Sequence, residues 1–404
     1  MNIAVAQSGG PTCAINASLA GVFEFGKKSG EINKIFGVLN GIEGIISDNL
    51  VDLEDFIKSD EELELLIRTP SAALGSCRRK LPDHTKDPEL FKTITNCFLR
   101  HDIEIFFYIG GNDSMDTVAK LSQYYSENNI GIKIIGIPKT IDNDLFGTDH
   151  CPGFGSAAKY VAATIQEITR DSNVYKAESV TIIETMGRNA GWLTAASACI
   201  RRNGESAPHL IYLPEHVFSG EQFISDVREI MKKHKAVIAV VSEGVCTADG
   251  KFAAEAYQSA KTDAFGHSYL SGVGKFLENL VSEKIGCKVR SIELNVMQRC
   301  SSHFASLTDI NASKAIGAAA VETALGGATG IMMAFTRESN SPYKFGITTV
   351  PADQTANNEK FFPKEWITEN GYDITEEAID YIIPLIQGEL PPVMKNGMPQ
   401  HFKF

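Results

Sequence analysis

The sequence predicts an α/β protein of two Rossmann-like, three-layer domains with mostly parallel sheets. Three observations carry that reading. Apolar runs of strand length alternate with stretches of helix length along the chain, the pattern of strand–helix–strand units. Two of those runs, 103–109 and 132–137, are apolar at nearly every position, as buried strands have to be. And 404 residues with 43% apolar side chains give enough chain for two or three domains with sizeable cores.

In order, a first strand is expected at 2–7, a tight turn at Ser8-Gly9-Gly10-Pro11-Thr12 and a helix at 14–25. A strand, a glycine turn and a helix together offer backbone N–H groups to an anion, although the GK[ST] of a Walker A loop is missing. A second strand is expected at 35–39. Residues 52–67 read as one acidic amphipathic helix with Leu53, Phe56, Ile57, Leu63 and Leu66 on its apolar side. The turn Leu74-Gly75-Ser76 leads into three cations, Arg78, Arg79 and Lys80. They form either a solvated basic loop or an arginine that reaches transferring phosphates.

The run 103–109 ends in Gly110-Gly111-Asn112-Asp113-Ser114, and 132–137 ends in Pro138-Lys139-Thr140-Ile141-Asp142-Asn143-Asp144. Gly153-Phe154-Gly155-Ser156 imitates a dinucleotide fingerprint but follows no strand, so it reads as the entry to a helix at 156–169. Further strands are expected at 179–184, 209–213, 236–241, 288–294 and 330–335. Helices are expected at 221–233, 269–284, 309–325 and 375–386, with the tail beyond Pro351 otherwise irregular. The domains divide as 1–150, rejoined by about 298–350; 151–297; and an extension, 351–404, packing on both.

A formal net charge of −12 argues against a nucleic-acid or anionic-membrane partner. Eight cysteines stand singly with no CxxC and read as reduced thiols, placing the protein in the cytoplasm. No run approaches the roughly 20 apolar residues of a membrane span, and no signal peptide is evident. The nine histidines form no HExxH, so no zinc site is expected.

The chemistry sits at the two strand ends. In open α/β sheets, ligands bind outside the carboxyl ends of strands. Glycines let backbone approach a phosphate, carboxylates and amides hold Mg²⁺ through oxygen, and a lysine is a point charge for phosphate. A carboxylate near a hydroxyl serves as general base. Together these read as phosphoryl-transfer machinery.

With Met186-Gly187-Arg188, Glu243, Arg290 and Gln298-Arg299 following in order, the chain resembles the phosphofructokinases, specifically the pyrophosphate-dependent 6-phosphofructokinases, from Gly9 to about Phe335. The resemblance implies an active site in the cleft between the domains. The first domain would take pyrophosphate and Mg²⁺, and the second fructose 6-phosphate. It implies reversible transfer of a phosphoryl group to the sugar's 1-hydroxyl, giving fructose 1,6-bisphosphate and phosphate. Asp142 is the implied base, supported by Asp144, with Lys139 and Arg78 also catalytic. Gly9, Gly10, Asp113, Ser114, Lys139 and Arg78 would bind the diphosphate, and Asn112 would hold Mg²⁺. Thr140, Asp142, Met186, Gly187, Arg188, Glu243, Arg290 and Arg299 would bind the sugar phosphate. Arg290 in this family often comes from a neighbouring subunit, which implies a homodimer or homotetramer.

ATP-dependent members resemble this chain but carry glycine where Asp113 and Lys139 stand. A carboxylate at Asp113 repels a nucleotide α-phosphate, and Lys139 favours the small, densely charged pyrophosphate. The sequence departs from the family at Asn112, usually aspartate, and at Val296, usually a hydrogen-bonding His or Tyr. The alternatives are an ATP-dependent enzyme, a non-catalytic sugar-phosphate-binding regulatory subunit, and a sugar transferase that uses Asp142 and Asp144 as a DxD.

Overall fold

The computed structural model describes residues 1–256 and 272–404. Their strands of three residues or more are β1 (Asn2–Gln7), β2 (Lys34–Val38), β3 (Leu50–Asp52), β4 (Ile103–Gly110), β5 (Lys133–Pro138), β6 (Ser179–Thr185), β7 (Leu210–Tyr212), β8 (Ala236–Ser242), β9 (Lys288–Glu293), β10 (Ile331–Asn340) and β11 (Tyr343–Pro351). The longer helices are α1 (Ile15–Lys28), α2 (Asp60–Arg68), α3 (Pro88–Arg100), α4 (Asn112–Glu127), α5 (Phe154–Ser172), α6 (Gly220–Met231), α7 (Val273–Lys284) and α8 (Leu307–Leu325). The expected helix at 269–284 begins outside the described residues, which resume at Gly272.

The chain forms two units. One comprises Met1–Ser156, Arg299–Lys360 and Gly388–Phe404; the other comprises Ala157–Gln298 and Phe361–Gln387. The stretch beyond Pro351 is thus shared out between the two.

The first unit holds a seven-stranded sheet in the order β11-β10-β5-β4-β1-β2-β3. Pairing is parallel from β2 to β10, and the two edge strands, β3 and β11, are antiparallel. Alternate residues of a strand face opposite sides. Ile105, Phe107 and Ile109 therefore enter one core with Ile3, Val5, Ile135 and Ile137, while Phe106 and Tyr108 enter another with Ala4, Ala6 and Ile134. Two apolar faces covered by helices give the three layers.

On the first face α1 crosses α8 at glycines. A Cβ on Gly21 would lie 2.0 Å from the Lys314 carbonyl oxygen, and one on Gly317 would lie 2.1 Å from that of Ser18. Only glycine lets the two backbones come this close. At the start of α8, Asp309 is buried and accepts N–H bonds from Gly153 (3.0 Å) and Ser156 (2.9 Å) and the Ser156 hydroxyl (2.6 Å).

Residues 52–67 do not form one helix. A 3₁₀ turn covers Leu53–Asp55, and α2 starts afresh at Asp60. The break is a side-chain cap: Ser59 Oγ accepts the Glu62 N–H at 3.2 Å, and the Glu62 carboxylate accepts the N–H of the preceding Lys58 at 2.7 Å. The unexpected strand β11 pairs along β10, whose own length runs beyond the expected 335 to Asn340. Its residues are half-buried or exposed, so it leaves no apolar run to read.

The second unit holds four parallel strands in the order β7-β8-β6-β9. β8 is buried at every position, and its core continues into α6 and α7 through Phe223, Val227, Leu277 and Val281. All eight cysteines are free thiols. Among the described residues no helix is long and apolar enough to cross a membrane.

Candidate active site

In the first unit, β1, β4 and β5 are neighbours, so their carboxyl ends deliver three loops to one edge of the sheet. After β1, Gly9 adopts φ 74°, a left-handed conformation that costs glycine little. The turn at 75–77 holds it there. The Gly9 N–H donates to the Cys77 carbonyl at 3.2 Å, and the Ser76 hydroxyl donates to the Gly9 carbonyl at 2.7 Å. The loop bearing Arg78 is thereby tied to the glycine turn.

Lys139 follows β5 and is 2% exposed. Its ammonium donates to the Gly10 carbonyl at 2.5 Å, and its backbone N–H donates to the Gly110 carbonyl at 2.9 Å. A Cβ on Gly9 would come within 3.3 Å of that ammonium, and one on Gly10 within 3.4 Å of Arg299 Nη1. The structure thus brings Gly9, Gly10, Lys139 and Arg299 together. Arg299, expected on the sugar's phosphate, sits beside the glycine turn. Burial pulls the Lys139 pKa down to about 7; Arg299 and Arg78 push the same way, and Asp142 and Asp144 oppose them. Lys139 is thus a buried cation with two arginines and two carboxylates acting on it in opposite directions.

Asp113 and Ser114 lie in the first turn of α4, where the Ser114 N–H donates to the Gly111 carbonyl at 3.0 Å. Asp113 pairs with Lys80, Nζ to Oδ1 at 2.8 Å. Ser114 is buried against Gly110. In the next loop the Thr140 hydroxyl accepts the Asp142 N–H at 3.1 Å. Asn143, at φ 55°, accepts the Cys151 N–H on its side-chain oxygen at 2.9 Å. These bonds brace the turn that carries Asp142 and Asp144. Burial, with the Glu359 charge nearby, raises the Asp144 carboxyl above the usual carboxylate range.

Asn112 was expected to hold Mg²⁺. Its Oδ1 accepts the Asn357 N–H at 2.6 Å, and its Nδ2 donates to the Asn358 carbonyl at 2.7 Å. Both polar atoms are committed to backbone and the amide carries no charge, so this donor set does not fit a hard divalent cation. One group with the reach to hold an ion among the described residues is Asp48, Cys97 and His101. It lies beside Asn2, at the opposite end of β1 from Gly9, and Arg100 already pairs with its carboxylate.

In the second unit, β6 ends in Thr185 and leads to Met186-Gly187-Arg188. Gln298 Oε1 accepts the Met186 N–H at 3.2 Å, and Glu243 Oε1 accepts the Gly187 N–H at 3.4 Å. The Ser242 hydroxyl donates to the Gly187 carbonyl at 2.5 Å. Met186, Gly187, Arg188 and Glu243 therefore form one cluster at the ends of β6 and β8. Arg290 is not part of it. Its register partner on β6 is Thr181, five residues before Met186, or about 16 Å along a strand. Its guanidinium faces Asp171 at 3.4 Å on the edge strand β9.

Sequence reasoning missed the segment Thr355 to Lys360, which reaches both Asn112 and the Asp144 loop. More than 200 residues separate it from either motif, and no local pattern marks it.

Residues 2–324 match the family described as Phosphofructokinase. The chain is 40% identical to the pyrophosphate–fructose 6-phosphate 1-phosphotransferase of Halomonas elongata, covering 99% of this chain and 95% of that one. It is 35% identical to the sulfofructose kinase of Alkalicoccus urumqiensis, covering 97% of each. The crystal structure of the pyrophosphate-dependent phosphofructokinase from Nitrosospira multiformis superposes with a TM-score of 0.89 at 38% identity, over 99% of this chain and 95% of that one. The chain belongs to the phosphofructokinase family.

Proposed function

We propose that the protein is a diphosphate–fructose-6-phosphate 1-phosphotransferase, working reversibly between pyrophosphate and fructose 6-phosphate. The observation that carries this is Lys139, a buried ammonium between Gly9-Gly10 and two arginines, with Asp142 three residues on. A compact tetra-anion neutralises such a site better than an extended nucleotide does. Pyrophosphate takes the Gly9, Gly10, Asp113, Ser114, Arg78 and Lys139 side. The sugar takes Thr140, Met186, Gly187, Arg188 and Glu243, with Arg299 near the transferring group and Arg290 supplied by a second copy of the chain in a homodimer or homotetramer. Asp142 accepts the proton of the 1-hydroxyl. The new O–P bond forms as the bridging P–O bond breaks, and orthophosphate leaves with its charge met by Lys139 and Arg78. Mg²⁺ enters as the counter-ion of pyrophosphate, and the compartment is the cytoplasm.

A second reading puts a sulfonate where the sugar's phosphate would be. Val296, with no hydrogen-bonding group and 47% exposed, and the Alkalicoccus relative favour it. The test is product formation with Mg²⁺, comparing pyrophosphate with ATP and fructose 6-phosphate with its 6-sulfo analogue. Turnover with pyrophosphate and fructose 6-phosphate supports the proposal. Turnover with ATP alone overturns the donor assignment, and turnover of the sulfonate alone overturns the acceptor. No turnover with any pair favours a regulatory subunit.

A further inference from the structure

The six residues from Thr355 to Lys360 act as a strap across two motifs that are remote in sequence. At one side Asn112 grips Asn357 and Asn358 through both of its amide atoms, at 2.6 and 2.7 Å. Asn357 itself is held at φ 63°. At the other side the strap lies along the loop that follows Asp142. The Thr355 hydroxyl donates to the Phe146 carbonyl at 3.2 Å, and Glu359 bridges antiparallel to Leu145. The Lys360 N–H donates to the Asp144 carbonyl at 2.7 Å. The Lys360 ammonium donates to the carbonyls of Asp149 at 2.6 Å and Thr148 at 3.2 Å.

We propose that Asn112 is a positioning residue for the phosphotransfer rather than a metal ligand, clamping the strap that sets the loop carrying Asp142 and Asp144. The residue type follows from the geometry. The position must accept one N–H and donate to one carbonyl, which an amide does. A carboxylate could accept from Asn357 but would set a negative charge against the Asn358 carbonyl with no proton between them. The same strap brings Glu359 near Asp144, which contributes to that carboxyl's raised pKa. A catalytic loop held from a segment so far along the chain gains a fixed register without any substitution inside the motif itself.

The inference rests on the proposed function for what the loop does, but the clamp is read independently of turnover. Asn112→Ala and Asn112→Asp are made in the full chain, and amide hydrogen exchange is followed over 355–360 and 144–149. Exchange in both stretches should rise about tenfold, the scale of a lost pair of hydrogen bonds, while the core of β4 and β5 stays protected. Lys360→Met should raise exchange at 144–149 from the other end. Mn²⁺ binding, followed by electron paramagnetic resonance with pyrophosphate present, should be within twofold of wild type in Asn112→Ala. Turnover should fall about tenfold with little change in the KM of either substrate, as a misplaced base requires. Weaker Mn²⁺ binding in Asn112→Ala, or unchanged exchange in both variants, overturns the clamp. Should the wild type turn over no substrate, the functional reading fails, yet exchange and Mn²⁺ binding still decide the role of Asn112.

Discussion

Lys80 and Asp113 form an ion pair, 2.8 Å from Nζ to Oδ1, that joins the basic loop after Gly75 to the first turn of α4. Both side chains are more than a third exposed, so the pair adds little stability, about 1 kcal/mol or less. Its consequence is positional, because it fixes the Asp113 carboxylate at the start of α4, on the side where the proposed function puts the phosphoryl donor. Asp113→Gly should lower the preference for pyrophosphate over ATP by tenfold or more in kcat/KM, the effect of removing one like-charge contact. Lys80→Met should shift the same ratio less. An unchanged ratio in Asp113→Gly would remove Asp113 from donor selection.

Lys139 gives the proposed donor site a pH dependence. Its pKa in the folded protein, about 7, lies below the ordinary 10.5, so folding disfavours the ammonium. The penalty is full below pH 7 and fades as pH rises toward 10.5, so this group makes the unliganded protein more stable with rising pH in that window. A bound anion restores the ammonium, so above pH 7 binding takes up a proton. Pyrophosphate affinity should fall up to tenfold per pH unit above 7, and calorimetry in buffers of different ionisation enthalpy should register the uptake. In Lys139→Met both effects should vanish.

Asp142→Asn keeps the size and shape of the side chain and leaves the Thr140 and Asn143 bonds of the turn in place, so it should fold and melt within a few degrees of wild type. Turnover should drop by a factor of about 10² or more, the scale of a positioned base. Activity within a few-fold of wild type would remove Asp142 from that role.

The α1–α8 crossing sets a stability prediction. Gly317→Ala places a methyl 2.1 Å from the Ser18 carbonyl oxygen, so the helices must part. Overpacking of this kind costs roughly 1–3 kcal/mol. A melting point lowered by about 3–10 °C, read by circular dichroism, is expected, and an unchanged value would show that the crossing yields freely.

Strands β4 and β5 were legible in the sequence because they are covered on both faces and read as apolar runs. The motifs after them were legible because each is contiguous. β11 was not, since it forms no continuous apolar run: Tyr343, Phe345 and Ile347 alternate with Lys344, Gly346 and Thr348, and the face they make is only half-buried. The single helix expected at 52–67 failed at Ser59 and Glu62, where a local cap outweighed a continuous amphipathic pattern. The Asn112 strap was not legible either. Nothing near Asn357 indicates a partner 245 residues earlier. Arg290 reads as a site residue from its place in the motif order, while its register opposite Thr181 puts it far along the strand from Met186.

The helix crossing and the strand order also bear on how the chain is made. α1 leaves the ribosome with its Gly21 groove empty, and the helix that fills it ends at Leu325. β5 likewise waits for β10, which begins at Ile331. At roughly 5–20 residues per second, those surfaces stay uncovered for tens of seconds during synthesis. A premature stop before α8 would therefore release a fragment that cannot close its own core.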